Sequence, residues 1–192
     1  MKHIATMKHI ATVALMLILG VAGIYAQQKP VNMTFSGTLE PSTINLQPGT
    51  HTDEENLAGN GTLGQFTYRG LFADPDSPPL SSTCSGPTHL YFPTVAGGGV
   101  FRFQDGSLLT VSITEGALCI DFAAGVAHHT VTYKITGGTG RFKGATGTLT
   151  LTSTVLPVLF DASGAPALLT NTGKFEGTVF GVAEEEERHD ER

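Results

Sequence analysis

The stretch "YKITGGTGRFKGATGTLTLT", Tyr133 to Thr152, decides how the chain is read, because its five glycines between Gly137 and Gly147 fit two opposed structures. In one, backbone N–H groups of a glycine-rich loop cradle a phosphate at the start of a helix. In the other, the glycines reverse the chain between two strands. A dinucleotide fingerprint beginning at Gly138 needs Gly where Lys143 stands, and a P-loop needs a G-K-[ST] triplet that is missing. The residues that follow, "TGTLTLTST", alternate β-branched and apolar side chains, which makes a strand where a phosphate loop requires a helix. The reading is therefore a corner: Gly137, Gly138 and Gly140 reverse the chain, Phe142 tucks beneath the turn, and Gly144 and Gly147 relieve crowding.

The same pattern runs outward in both directions. From Met33 on, short alternating stretches are separated by Gly, Pro, Asp and Asn, with no sustained helical spacing, so the chain is all-β. Strands are expected at 33–39, 61–72, 89–95, 99–103, 107–114, 117–122, 129–136, 147–155 and 172–180. Asp105-Gly106, Glu115-Gly116 and "DASG" (Asp161 to Gly164) are hairpin turns on this reading. "EPSTINLQPGTHTDEEN" and "ADPDSPPLSSTCSGP" are loops, rich in Pro, Ser and Asp. Eight or nine strands joined by short turns favour closure into an antiparallel barrel, which removes exposed edges, with a sandwich as the alternative. Alternation puts Phe66, Tyr68 and Phe72, Phe101 and Phe103, Leu109, Val111 and Ile113, Leu118, Ile120 and Phe122, and Val131, Tyr133 and Ile135 on the inner face.

The first residues, "MKHIATMKHIATVALMLILGVAGIYAQQ", have a basic head, an apolar run from Val13 to Ile24 and a small residue at Ala26. That is the layout of a secretory signal peptide cleaved after Ala26, and the run falls short of the roughly 20 residues that span a bilayer. "MKHIAT" occurs twice, so Met1 and Met7 are both workable starts. The expected organisation is a signal peptide (1–26), a single barrel domain (27–183) and a disordered charged tail (184–192), in a protein that is secreted and keeps no membrane anchor after cleavage. Formal net charge is −6, from 11 basic and 17 acidic residues, so nucleic acid is excluded as a partner by the absence of clustered positive charge. Cys84 and Cys119 are the two cysteines. An even pair in an exported chain implies one disulfide, and nothing nearby lowers a thiol pKa for redox work.

No catalytic signature stands out. There is no G-x-S-x-G elbow, and His128 and His129 are adjacent, so on a strand they face opposite ways and cannot share a metal; they are read as the start of a solvated strand. "HTDEEN" and "DPDS" cluster oxygens without the spacing of a calcium loop, so no metal and no cofactor is expected. Glu115 continues the apolar alternation of Leu109, Val111 and Ile113, where a half-buried carboxylate could act at a cavity mouth, although the Glu115-Gly116 pair also suits a turn.

"ITGGTGRFKGATGTLTLT" resembles the segment shared by dirigent proteins and the allene oxide cyclase barrel family, in which a strand ends in G-G-[TS]-G-x-F and runs into the next strand. "GGGVFRFQDGSLL", a downstream Cys and the "PVLFDASGAP" hairpin are similar to segments of exported members of that family, and together they cover most of residues 89–180. The resemblance implies an eight-stranded antiparallel β-barrel of calycin-type shape with a ligand cavity, and commonly a homotrimer. Only Gly137, Gly138, Thr139, Gly140, Phe142, Gly144 and Gly147 match the motif, and their role there is structural; residues 27–75 match nothing in the plant cyclases, so catalytic roles do not carry over.

The functional expectation is a secreted barrel that binds a small apolar molecule, with Tyr68, Phe101, Phe103, Glu115 and Tyr133 as candidate ligand-binding residues. The alternatives are an isomerase that cyclises its substrate by holding it in one geometry, and a non-catalytic interaction module on a rigid support. A packed lumen favours the last, an open cavity with convergent polar groups the first two.

Overall fold

A computed structural model describes residues 28–77, Cys84 and 89–183; the expected signal peptide and charged tail lie outside these residues. The described chain forms nine strands: β1 (Gln28–Pro41), β2 (Thr50–Gly61), β3 (Phe66–Pro75), β4 (His89–Pro93), β5 (Ala96–Phe103), β6 (Leu108–Asp121), β7 (Val126–Gly138), β8 (Thr146–Phe160) and β9 (Pro166–Phe180). Every pairing is antiparallel. The order β6-β5-β3-β2-β1-β9-β8-β7 returns to β6 through the β6–β7 pair, which closes an eight-stranded barrel. The extra strand, β4, pairs with the second half of β6 while β5 pairs with the first half, so one long strand serves two short ones. Thr94 N–H donates to Gly116 O and Val95 N–H to Ala73 O as the chain steps from β4 to β5, stitching that step into the wall.

Two expectations about strands are corrected. The loop expected at 40–56 gives way to β2 from Thr50 onward, which pairs with β1 and β3 along most of its length. Its inward positions carry His51, Asp53 and Glu55, so the apolar alternation that marks a half-buried strand is missing. The hairpin expected at Glu115-Gly116 is a bulge inside the continuous strand β6, with the register against β7 shifting between Ile113 and Glu115. Such a bulge bends the strand and re-aims its side chains, here where β6 passes from β5 to β4.

The expected glycine corner forms. Residues Gly140–Phe142 make one 3₁₀ turn, Gly140 and Gly144 adopt positive φ, and Phe142 is wholly buried. A side chain at Gly140 would also collide with Ser107 Oγ, so no other residue fits. Arg141 lies over the rings of Phe103 and Phe142, pairs with Asp105 at 3.1 Å and donates to Leu63 O, sealing this end of the barrel. Cys84 and Cys119 are bonded, with their Cα atoms 5.7 Å apart.

The inner faces follow the alternation except at Phe122, which is exposed in the turn between β6 and β7. Between the sealed end and the middle of the barrel the lumen is filled by one apolar cluster, including Phe66, Tyr68, Phe101, Phe103, Tyr133 and Phe175. Gly70 and Gly99 leave the room that the Tyr68 ring occupies, since a Cβ at either would overlap it. A smaller cluster of Leu39, Phe72, Leu118, Ala127 and Val155 lies toward the opposite end.

Candidate functional site

The loops 42–49, 122–125 and 161–165 surround the open end, and inside them is a cavity of about 870 Å³. Its walls are apolar where the last lumen residues end, with Leu39, Leu118, Ala127, Val155 and Leu169 as floor and sides. His51 and Asp53 reach it from β2.

A polar layer lies one inward step below that floor, because side chains on a strand return to the same face every second residue. Below Asp53 is Glu55, below Ala127 is His129, below Val155 is Ser153 and below Leu169 is Asn171, all buried. Asn171 Nδ2 donates to Glu55 Oε1 at 2.8 Å, His129 Nδ1 is 4.0 Å from the same oxygen, and Thr94 Oγ1 is 3.4 Å from His129 Nε2. The layer is not saturated: His129 Nδ1, Ser153 Oγ and Asn171 Oδ1 are buried without a hydrogen-bond partner among the described residues. Beneath it, the hydroxyls of Tyr68 and Tyr133 stand 3.5 Å apart.

Burial sets the protonation of this layer, since removing water penalises whichever form is charged. It pushes the Glu55 carboxyl up to about 8, with repulsion from Asp53 and Asp74 adding to the rise and the Asn171 hydrogen bond opposing it. Burial alone pulls the His129 imidazole down to about 4. At neutral pH the two are therefore a neutral acid beside a neutral imidazole, and their proximity is not an ion pair. Burial also raises Asp53, to about 6, with His51 opposing, and Asp74, to about 7, with Thr94 opposing. Three carboxyl groups that hold protons near neutrality thus line one side of the barrel, a combination found where proton transfer or polar recognition is done.

The candidate ligand-binding residues fall elsewhere. Tyr68, Phe101, Phe103 and Tyr133 are packed against one another in the filled half, and Glu115 is exposed on the outer surface at the β6 bulge. None of the five lines the cavity. The bulge explains Glu115: one extra residue flips the side chain that strict alternation would turn inward. The solvated position expected for His129 is likewise corrected, since only His128 faces out.

From the sequence alone, Asp53, Glu55 and Asp74 stand only as members of two oxygen-rich segments without a calcium spacing and Asn171 is not singled out, yet a signal for an inward polar series is present. His51, Asp53 and Glu55 keep a period of two that runs into Leu57, and His129 precedes Val131, Tyr133 and Ile135 at the same period. Titratable residues that continue an inward series mark a polar lumen. His51, Asp53 and Asp74 come from two segments that separately lacked a metal pattern, and strand register brings their ligand atoms within 4.8 Å of one another.

No protein-family model matches the chain, and no curated protein sequence does. Among solved structures, it aligns with a pterocarpan synthase dirigent protein at 13% identity over 85% of this chain and 94% of that one, with a TM-score of 0.42. A second pterocarpan synthase dirigent protein aligns at 12% identity over 82% and 97%, with a TM-score of 0.41. The closed eight-stranded antiparallel barrel is the architecture that the glycine motif implies.

Proposed function

We propose that the protein is an exported barrel that binds a small, mostly apolar molecule in the cavity at its open end. The observation that supports this best is the cavity itself: about 870 Å³, apolar in its walls and backed by a layer of incompletely paired polar groups. That volume suits a small-molecule ligand, and a few polar groups in an apolar pocket fix orientation. The disulfide between Cys84 and Cys119 is compatible with a location outside the cytoplasm. A second reading, an isomerase that folds its substrate into one geometry, is favoured by Asp53: it reaches the cavity and titrates close to neutrality, as an acid or base at work must.

Native mass spectrometry of the full protein from its own source tests the proposal. A retained mass of small-molecule size is expected, together with saturable binding of the apolar fluorophore anilinonaphthalene sulfonate by the emptied protein. Ala127→Trp, which places an indole in the cavity, should weaken fluorophore binding at least about tenfold. No retained mass and no fluorophore binding, or binding unchanged by Ala127→Trp, would overturn it. The same spectra read whether the chain is a trimer.

A further inference from the structure

At the barrel mouth three ligand-type side chains converge with no positive partner. His51 on β2 is in direct register with Asp74 on β3, and Asp53 follows His51 by two residues, so it shares the inward face. One ligand atom from each lies within 4.8 Å of the other two. Asp74 is 1% exposed; its carboxylate oxygens make no hydrogen bond of normal geometry among the described residues, and the Thr94 side chain beside it offsets its burial only in part. No Lys or Arg forms an ion pair with Asp53 or Asp74 among those residues. A carboxylate buried as Asp74 is must be neutralised, by a proton or by a cation, and a half-buried Asp53 and an imidazole beside it offer a cation further ligands.

We propose that His51, Asp53 and Asp74 form a binding site for a divalent first-row transition-metal ion of the Zn²⁺ or Mn²⁺ type. One imidazole nitrogen with two carboxylates suits these ions, whereas Ca²⁺ and Mg²⁺ take all-oxygen shells and Cu⁺ prefers sulfur. Ligand atoms around such an ion, each at about 2.1 Å from it, stand ~3–4 Å apart. Closing from 4.8 Å to that spacing takes small rotations of the His51, Asp53 and Asp74 side chains, of which His51 is the exposed one. Asp76, 3.7 Å from His51 Nδ1, is placed to orient the ring, as carboxylates beside ligating imidazoles do. Three protein ligands leave coordination positions open. Because His51 and Asp53 line the cavity, an open position faces whatever occupies it, and an occupant bearing a carboxylate, phenolate or carbonyl oxygen would complete the shell.

The metal site stands or falls apart from the apolar-ligand reading, because its test uses the metal alone. Metal-stripped full-length protein is titrated with Zn²⁺ and with Ca²⁺ by calorimetry, and with Mn²⁺ by electron paramagnetic resonance. One equivalent of Zn²⁺ or Mn²⁺ is expected to bind. His51→Ala and Asp74→Asn should each weaken that binding at least about tenfold, while both metal-free variants keep the wild-type circular dichroism spectrum. His51 is exposed and Asn is isosteric with Asp, so at least the first variant folds. Absence of saturable binding would overturn the proposal. So would wild-type affinity in both variants, which would move the metal to the acidic segment Glu184–Glu187, and so would a preference for Ca²⁺ over Zn²⁺.

Discussion

The two ends of the barrel are made from the same eight strands, and they differ in what those strands point inward. At the sealed end Phe66, Phe101, Phe103 and Phe175 interdigitate, with ring centroids 4.9–6.3 Å apart, and Phe142 closes the bottom under Arg141. At the open end the inward residues are shorter, Ala127, Val155 and Leu169, and below them come Glu55, His129 and Asn171. An eight-stranded barrel is just wide enough to be filled by side chains or to hold one small ligand. Side-chain volume, not strand geometry, chooses between the two here. The sealed half supplies the apolar burial that holds the fold, and that surplus permits the other half to keep buried polar groups, which cost stability unless fully paired.

The sharpest way to break this contrast is to empty the sealed half. Phe142→Ala removes a wholly buried ring that cannot be replaced by water, and should cost about 4 kcal/mol, read from urea denaturation. Fluorophore binding at the open end should survive in whatever fraction remains folded. A loss below about 1 kcal/mol would mean that the plug does not support the core.

A smaller effect is expected from Cys84→Ser with Cys119→Ser, which cuts the covalent link between Cys84 and β6. The bond spans 35 residues, and in the chain-entropy account a loop of that length stabilises by about 3.8 kcal/mol. If the two ends are as distinct as their packing, hydrogen exchange should speed up first in β4 and the second half of β6. Uniform acceleration through β7 and β8 would show that the barrel melts as one unit.

The smallest effect sharpens the comparison on the polar side, and its sign depends on pH. Folding raises Glu55 from 4.5 to about 8, so the stability contributed by its protonated form is complete below about pH 4.5 and is lost as pH rises through 8. His129 moves the other way, from 6.5 to about 4, so its contribution is lost as pH falls through that window. Because Asp53 and Asp74 are raised like Glu55, the three carboxyls outweigh His129, and metal-free protein should melt at the highest temperature near pH 4–5 and fall steadily toward pH 8. Glu55→Gln keeps the acceptor for Asn171 and removes one buried charge, so at pH 9 it should melt a few degrees higher than wild type. Asp53 and Asp74 titrate in the same sense, so part of the alkaline fall persists. A wild-type melting temperature that climbs from pH 6 to 9 would contradict the protonation assigned to this layer.

The same contrast explains what the sequence reveals. Where the lumen is filled, inward residues are apolar, and the alternation of Phe101 with Phe103, or of Val131, Tyr133 and Ile135, announces a strand and its inner face. The glycine corner is legible for a related reason: Gly140 and Gly144 occupy conformations that side chains avoid. Where the lumen holds a site, the inward residues are His51, Asp53 and Glu55, and an expected loop stands in for β2. The residues that make the site are the ones that erase the pattern used to find the strand. Asp74 shows only as one oxygen donor of "DPDS", because its partners are far away in sequence and meet it only through the β2–β3 register.

The seam between β1 and β9 joins Gln28 to Phe180, so the first and last described strands are neighbours. Most other strand pairs are hairpins that can zip locally, whereas this one must wait until all the strands between them have been made. Contacts between such distant parts of a chain are slow to form, because a long loop must be closed before the pairing repays it. Until then β1 and β8 each present an unpaired edge, and the nascent protein is an open ribbon, not yet a container. The time spent in that state is fixed by how late β9 arrives, so the rate of synthesis and any factor that shields bare strand edges bear directly on how much finished barrel a cell obtains.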